Sequence, residues 1–410
     1  MFRNEIKKVF CRTGSRVALL LMAAVLCIVC YFTAMFFTYA NENGEQEYGL
    51  GAVREYRAAQ KEWAGVLDEA KLRAAIEENL RIEATPEAQS EEVTQNNIAY
   101  YWRTGILGIR DLLCCSFAED FRSYDGYLAD HLSPDDAPKF YSNRVDLLKT
   151  WLQEQQEYEL TEAEKAYIIQ KYETQPIPFE YDYMHGWTRL FNYAATVIMI
   201  SALIIGYLVA GIFSNEFQWR TDSIFFSSRY GRSKAITAKI AAGFTITSVL
   251  YWIMMLLFTG FTLAFLGADG ANCPVQADIS GWKCLFHITN VQKYLLIAFG
   301  GYLGNLITAG LAMLVSAGTR SSLLAVTTPF ILIFVPSFLQ NLDARVVNKI
   351  LGLLPESLME IGTLLSTFDT LYTFGSKVVP AVPILFVLHG ILLMVLIPVL
   401  YHIYHKKQIV

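Results

Sequence analysis

The densest set of chemically active side chains lies in the stretch Phe213–Lys239. Its candidate members are Glu216, Arg220, Thr221, Asp222, Arg229, Arg232, Lys234 and Lys239, and the aromatic residues Phe217, Trp219, Phe225 and Phe226 flank them. Short amphipathic helices of this composition can rest at a membrane interface and present charge to a protein partner. A simple positively charged anchor would need neither Glu216 nor Asp222. The expected chemistry is therefore recognition of a partner.

Motifs for bond-making chemistry are missing. The chain has no G-x-x-x-x-G-K-[ST] loop, so it is not expected to bind ATP by itself. It has neither an H-E-x-x-H motif nor paired C-x-x-C spacing, so no metal site is expected. No acid–base or nucleophile pair falls within an apolar segment. We therefore expect no catalytic residues and no bound cofactor, and an intramembrane enzyme is disfavoured.

The composition indicates a membrane protein, because 54% of the 410 residues are hydrophobic and only 17% are charged. A bilayer core needs about 20 apolar residues in a helix. Six stretches without Asp, Glu, Lys or Arg qualify or nearly qualify: Val17–Ala40, Leu190–Phe213, Ile240–Gly267, Tyr294–Gly318, Ser322–Leu339 and Val378–Tyr401. The fifth is the shortest and contains Pro329 and Pro336, which leaves a kinked or re-entrant helix open.

The distribution of Lys and Arg predicts the orientation. The N-terminal tail, the loops after the second and fourth spans and the C-terminal tail hold thirteen basic residues, whereas the opposite short loops hold five. The positive-inside rule therefore predicts that both termini lie in the cytoplasm of a multi-pass cell-membrane protein. Because the basic residues are spread over short loops and not gathered on one face, no nucleic-acid partner is expected.

These boundaries divide the chain into seven parts. They are a cytoplasmic interfacial helix (1–16), transmembrane helix 1 (17–40), an extracellular helical domain (41–189), transmembrane helix 2 (190–213), a cytoplasmic coupling loop (214–239), transmembrane helices 3–6 with short loops (240–404) and a cytoplasmic tail (405–410). The predicted fold class is an all-α membrane protein with six transmembrane helices and a large helical extracellular domain between the first two.

The predicted extracellular domain is acidic, with 15 Lys and Arg against 29 Asp and Glu between residues 41 and 189. Helix formers dominate residues 52–83, and apolar residues recur at helical spacing between Ile98 and Phe121. Helix starts are predicted at Ser133-Pro134 and at Thr161-x-x-Glu164. No strand pattern is found. The acidity favours a solvated surface, and a collector of cationic peptides is the alternative.

Two smaller features could matter for packing. Gly300, Gly301 and Gly304 place small residues where another helix could approach the fourth span closely. Cys273 and Cys284 share a loop that is predicted to be extracellular, where a disulfide could form. The sequence alone does not decide whether these two cysteines are bonded.

The stretch Phe213–Lys239 resembles the coupling region of the type-2 ABC transporter permeases. Their pattern is an acidic residue after the second span, a threonine about five residues later, a serine-rich turn, an arginine, and a lysine seven beyond it. Glu216, Thr221, Arg232 and Lys239 match, whereas Arg229 occupies the place of the family's usual proline. The stretch Ser316–Ser322 is similar to the family's junction between the fourth and fifth spans.

The resemblance implies a function. The chain would be the permease subunit of an ATP-driven exporter and would form the translocation path. A separate cytoplasmic ATPase subunit would bind ATP and Mg²⁺, and a second permease chain, identical or related, would pair with it in the lipid membrane. A peptide, a drug or a lipid remain open as substrates. The alternative is a membrane-anchored peptide-sensing or immunity protein with an acidic extracellular binding domain.

Overall fold

The protein is described from a computed structural model, which covers residues 1–154, 160–339, 345–367, 370–375 and 377–407. The last three residues of the predicted tail lie outside this range. The α-helices are α1 Phe2–Phe10, α2 Thr13–Met35, α3 Gly49–Glu62, α4 Glu69–Glu83, α5 Val93–Arg103, α6 Leu107–Ser116, α7 Phe140–Glu154, α8 Glu162–Glu173, α9 His185–Ala210, α10 Asn215–Gln218, α11 Asp222–Ser227, α12 Lys234–Leu266, α13 Asn290–Thr319, α14 Ser322–Leu339, α15 Arg345–Leu351, α16 Ile361–Ser366 and α17 Ala381–His405. The strands are β1 Thr38–Ala40, β2 Gln46–Tyr48, β3 Gly65–Val66, β4 Glu180–Tyr181, β5 Leu371–Phe374 and β6 Lys377–Pro380.

Six helices among the described residues, α2, α9, α12, α13, α14 and α17, are long and apolar enough to cross a membrane. The prediction of a largely helical protein with six such helices is confirmed. The helices α9 and α13 are the most buried, because α9 contacts α2, α12, α13 and α14 while α13 also contacts α17. Large apolar side chains such as Leu20 and Met394 are exposed on the outer helices. Such faces are compatible with a multi-pass membrane protein, in which lipid would cover them.

The two ends of the helical bundle differ. At one end, here called the domain end, the bundle meets a polar domain that includes α3. Asp269, which follows α12, forms ion pairs there with Arg57 of α3 at 2.5 Å and with Lys61 at 2.6 Å. At the other end, here called the loop end, lie α1, α10, α11 and the last turn of α17. The helix α14 runs from the loop end, where Ser322 accepts a hydrogen bond from Gln218 at 2.6 Å, to Ser337, which donates to Glu356 at 2.5 Å. It is a single continuous helix that crosses the bundle despite its two prolines.

Glycines allow α13 to lie close to its neighbours. A Cβ atom on Gly300 would collide with Ile361, and one on Gly301 would lie 2.6 Å from Ile198 and 2.7 Å from the Tyr251 hydroxyl. A Cβ on Gly304 would lie 3.1 Å from Met359. Gly301 therefore faces α9 and α12, whereas Gly300 and Gly304 face the segment that precedes and begins α16.

A polar domain follows α2 and contains α3–α8, a hairpin of β1 with β2, and a short pairing of β3 with the distant strand β4. The sequence predicts no strands here, and that prediction is wrong. The hairpin turns at Asn41, whose Oδ1 accepts the backbone N–H groups of Asn43 and Glu45, and Gly44 adopts a φ of 75°. An Asx turn that closes on a left-handed glycine favours this reversal. The first span accordingly ends at Met35, and Phe36–Ala40 leave the helix.

The two helical stretches predicted in this domain are each interrupted. Residues 52–83 break between α3 and α4, where β3 pairs with β4. The stripe from Ile98 to Phe121 breaks between α5 and α6, where a Cβ on Gly105 would lie 2.8 Å from the Trp63 ring. The break therefore lies where Trp63 packs closely against the bare Gly105. The two predicted helix starts, at Ser133 and Thr161, are confirmed by capping boxes.

The polar domain also takes in the loop between α12 and α13. Trp282 from this loop is 2% exposed and packs 5.5 Å from the ring of Phe140. The buried guanidinium of Arg144 donates to the Trp282 carbonyl at 2.7 Å and to Gln175 Oε1 at 2.6 Å. Its plane also lies over the rings of Tyr172 and Trp282. The loop between α12 and α13 therefore packs into the core of this domain.

A buried carboxylate joins this domain to the segment between α14 and α17. Glu164 is 1% exposed, and it accepts hydrogen bonds from the Thr161 backbone N–H at 2.9 Å and from Lys349 Nζ at 3.0 Å. Burial alone would raise the pKa of Glu164, but these partners outweigh it and lower the pKa from 4.5 to about 2. The ionised form is therefore the one that stabilises the contact.

The Glu164 contact should make stability depend on pH. Because its folded-state pKa is depressed, its contribution is present above about pH 4.5 and is lost as pH falls toward about 2. Glu164→Gln should lower the melting temperature of the detergent-solubilised chain near neutral pH, and the gap to the wild type should shrink at about pH 3. A gap that stays the same at both pH values would contradict this role for the carboxylate.

Candidate functional site

The stretch singled out by the sequence forms two short helices at the loop end of the bundle. After α9 ends at Ala210, α10 and α11 follow, and α12 begins at Lys234, so the last six residues of the predicted loop are helical. The Thr221 backbone N–H donates to the Glu216 carbonyl at 2.8 Å, and the Thr221 hydroxyl reaches the same oxygen at 3.3 Å. Arg220 takes a left-handed φ of 55° at this turn. Glu216 and Thr221 therefore fix the reversal between α10 and α11.

A buried ion cluster lies beneath these helices. Lys239 is 1% exposed, and its Nζ donates to Glu216 Oε1 at 2.7 Å, Glu5 Oε2 at 3.1 Å and the Ile212 carbonyl at 2.6 Å. An ammonium group has three donors, so all three are satisfied. The single Lys239 side chain therefore ties together α1, α10, α12 and the end of α9.

The amphipathic helix α1 completes the cluster. Lys8 lies 2.7 Å from Glu5 and 3.3 Å from Glu216, so two carboxylates face two ammonium groups. Burial alone would raise the pKa of Glu5, but Lys239 and Lys8 outweigh it and lower that pKa. Burial likewise opposes the charge on Lys8, yet Glu5 and Glu216 raise the pKa of Lys8. Both shifts favour the ionised forms of Glu5 and Lys8.

Arg232 connects the loop to the C-terminal end of α17. Its Nη1 donates to the carbonyls of His405 and Lys407, each at 2.9 Å, and its guanidinium lies 4.9 Å from the centre of the Phe226 ring. Phe226 in turn packs against the buried ring of Tyr404 at 5.3 Å. The loop is therefore bound to the last spanning helix as well as to α1, α9 and α12.

The rest of the loop exposes a mixture of aromatic, aliphatic and cationic side chains. Trp219, Ile224 and Tyr230 are 54%, 72% and 37% exposed. Together with the exposed cations Arg220, Arg229 and Lys234 they form a surface, here called the loop face, made of Trp219, Arg220, Ile224, Arg229, Tyr230 and Lys234. Arg229 and Lys234 both lie over the Tyr230 ring, at 5.3 Å and 5.0 Å. Asp222 lies half-buried at the first position of α11.

The structure thus places seven of the eight candidate residues in two groups, and half-buried Asp222 belongs to neither. Glu216, Thr221, Arg232 and Lys239, which carry the resemblance, have structural contacts, and Glu216 and Lys239 are too buried to meet a partner. The residues Arg220, Arg229 and Lys234 are accessible. Glu5 and Lys8 also belong to this site, and neither was predicted from the sequence. A sequence signal for Glu5 exists, because it is the one acidic residue in a basic N-terminal tail.

Neither the candidate disulfide nor a metal site is found among the described residues. Cys273 and Cys284 are buried and carry free thiols, so the disulfide considered from the sequence is not formed. The Cys284 thiol instead lies 3.5 Å from the Phe286 carbonyl oxygen, and burial raises the pKa of both thiols. In the part of the chain that the structure describes, no three His, Cys, Asp or Glu residues are grouped to hold a metal ion.

Comparison with known proteins adds no relative. No protein-family model matches this chain. No curated protein is detectably similar to it in sequence either.

Proposed function

We propose that the chain is the permease subunit of an ATP-driven exporter of the type-2 ABC class. In this proposal a separate cytoplasmic ATPase binds ATP and Mg²⁺, and this chain pairs with a second permease chain to form the path for a peptide, drug or lipid. The ATPase docks on the loop face. This chain supplies no catalytic group and binds no cofactor.

The loop face is the observation that carries the proposal. It combines exposed aromatic and aliphatic side chains with cations, and this mixture is typical of protein interfaces. A surface used only to anchor the chain in lipid headgroups would not need the rigid support that lies beneath it. That support reaches α1, α9 and α12 through Lys239 and α17 through Arg232. A push on the loop face would therefore reach four segments of the bundle together.

The orientation in this proposal follows from the basic residues gathered at the loop end. Exposed cations there include Arg3, Lys7, Arg16, Arg229 and Lys234. By the positive-inside rule, the loop end faces the cytoplasm and the acidic polar domain faces outward. An acidic surface on that side avoids the attraction to anionic lipid that would draw a basic domain onto the membrane.

Cysteine labelling of intact cells tests this orientation. In a background without Cys11, Cys27, Cys30 and Cys115, the four that are not buried, Glu91→Cys should react with an impermeant maleimide and Lys234→Cys should not. Both positions are exposed, so access across the membrane is the only difference between them. Lysed cells provide the control, since both sites should then react. Labelling of Lys234→Cys in intact cells would overturn the orientation.

Photo-crosslinking tests the docking proposal. A benzophenone amino acid at Ile224, which is 72% exposed on α11, should form an adduct with a soluble ATP-binding protein in living cells. The same amino acid at Val249, which is 51% exposed in the middle of α12, serves as the control and should not capture that protein. If position 224 yields no protein adduct, the loop face is not a docking site for an ATPase.

A further inference from the structure

A cavity of about 430 Å³ lies where the polar domain meets the first turn of α9. Its walls come from α3, α5, α6, β4, the start of α9 and residues 277–279. Four tyrosines line it, namely Tyr56, Tyr100, Tyr124 and Tyr181. Tyr100 and Tyr124 are 47% and 49% exposed, so the cavity is open to solvent at this rim. The volume falls within the range of about 300–1,000 Å³ that is usual for small-molecule sites.

One polar side chain in this cavity is buried and lacks a partner. Tyr181 is 3% exposed, and its hydroxyl makes no hydrogen bond to any residue that the structure describes. A Cβ atom on Gly108 would collide with this hydroxyl, so the bare glycine makes room for it. The Tyr181 oxygen is not among the fully buried polar atoms and Tyr181 lines the cavity, so a ligand there could supply the hydrogen-bond partner that hydroxyl groups of buried side chains normally have.

Three carboxylates line the same cavity and form no ion pair within 4 Å among the described residues. Asp111 accepts the Tyr124 hydroxyl at 2.6 Å, Asp278 accepts the Thr188 hydroxyl at 3.1 Å, and Asp182 accepts the Tyr183 backbone N–H at 2.7 Å. Arg110 also lines the cavity, and it is bound by both oxygens of Asp130 at 2.9 Å. Asp130 therefore balances most of the charge of Arg110, and the three carboxylates leave the lining with an excess of negative charge.

The charges of this cavity oppose one another. Burial raises the pKa of Asp111; the Tyr124 hydroxyl and Arg110 oppose this, the negative charge of Asp278 adds to it, and the net direction is upward. Burial also raises the pKa of Tyr181, and Asp278, Asp111 and Asp182 add to that effect. A cation placed among these groups would remove the repulsion and would also meet the faces of the tyrosine rings.

We propose that this cavity binds an organic cation with N–H donors, of the alkylguanidinium or alkylammonium class. The carboxylates of Asp111, Asp182 and Asp278 receive its N–H groups, the Tyr181 hydroxyl adds a further hydrogen bond, and the tyrosine rings cover its apolar part. This site lies at the first turn of α9, whereas the loop face follows the other end of that helix. It is independent of the proposed ATPase subunit.

Calorimetric titration of the full-length chain with butylguanidinium tests this proposal. Its neutral isostere, butylurea, has nearly the same shape but lacks the charge. We expect saturable binding of butylguanidinium with a Kd of about 1 mM or lower and no saturable binding of butylurea. Asp111→Asn and Asp182→Asn should each weaken the binding by about tenfold. Tyr181→Phe should weaken it less, because it removes one neutral hydrogen bond.

Asp146→Asn is the matched control, because Asp146 is an exposed carboxylate on α7 outside the cavity. It should leave the affinity unchanged, and circular dichroism should show that every variant is folded. If one carboxylate variant fails to fold, the other together with Tyr181→Phe still decides the question. Equal binding of butylurea, or an unchanged affinity in the folded cavity variants, would overturn the proposal.

The titration also distinguishes two sources of the cation. It should be run in nanodiscs of phosphatidylglycerol alone and in nanodiscs that also contain phosphatidylethanolamine. Weaker binding of butylguanidinium in the nanodiscs that contain phosphatidylethanolamine means that a lipid ammonium group occupies the cavity. Equal binding means that the natural ligand is a water-soluble cation.

Discussion

Lys239→Met should destabilise the chain by about 3–5 kcal/mol, the cost of removing one partner from a buried ion pair. Lys239 is 1% exposed and donates to both Glu5 and Glu216. Methionine has a similar length but no charge, so two carboxylates would be left to share the one remaining ammonium group of Lys8. Thermal unfolding in detergent, followed by fluorescence, should show a lower melting temperature.

A second substitution distinguishes the loss of charge balance from a loss of packing. The double variant Lys239→Met/Glu216→Gln restores a balance of one carboxylate and one ammonium group, so it should recover most of the lost stability. Lys234→Met is the control, because Lys234 is exposed on the same helix and should change stability by less than about 0.5 kcal/mol. Additive losses in the double variant would show that the cluster is not held together by charge.

Charge reversal on the loop face should weaken association with the ATPase. Arg229 is exposed, and its guanidinium contacts the ring of the neighbouring Tyr230. Arg229→Glu should reduce the amount of co-purifying ATPase by about tenfold, because a like-charge contact at an interface costs on the order of 1–3 kcal/mol. Combined with Ile224→Glu, which places a charge at the most exposed apolar position of α11, it should abolish the association.

Arg3→Glu provides the matched control for Arg229→Glu. Arg3 is an exposed cation on α1, so the variant makes the same change of charge at the loop end but outside the loop face. It should leave the association intact. Reversal at Glu216 is a poor test of docking, because Glu216→Lys would place a second cation beside buried Lys239. Equal losses in Arg3→Glu and Arg229→Glu would show that only general electrostatic attraction is involved.

The elements that depend on local patterns could be predicted from the sequence. The six long helices are uninterrupted apolar stretches, and the capping boxes at Ser133 and Thr161 are complete within four residues. The sequence also located the stretch that forms α10 and α11. In these cases the information needed for the prediction lies within one segment, which is why a single sequence suffices.

Features that join distant segments could not be predicted in this way. The ion pair between Glu5 and Lys239 joins residues 234 positions apart, and Trp282 enters a core built mainly from residues before α9. The break between α5 and α6 depends on Trp63, which packs against Gly105 from another helix. Periodicity within Ile98–Phe121 carries no information about that contact. The cavity beside Tyr181 was missed for the same reason, since its walls come from six separate segments.

If this chain is the transport subunit of an ATP-driven complex, as proposed, an ATPase should accompany it from the membrane. The most direct measurement is the Mg²⁺-dependent ATP hydrolysis of the tagged chain purified from its native membrane, compared with a mock purification from cells without the tag. We expect hydrolysis well above the mock level for the wild type and for Arg3→Glu, and a loss of hydrolysis for Ile224→Glu/Arg229→Glu. Wild-type chain that is folded and pure yet hydrolyses ATP no faster than the mock preparation would contradict the account.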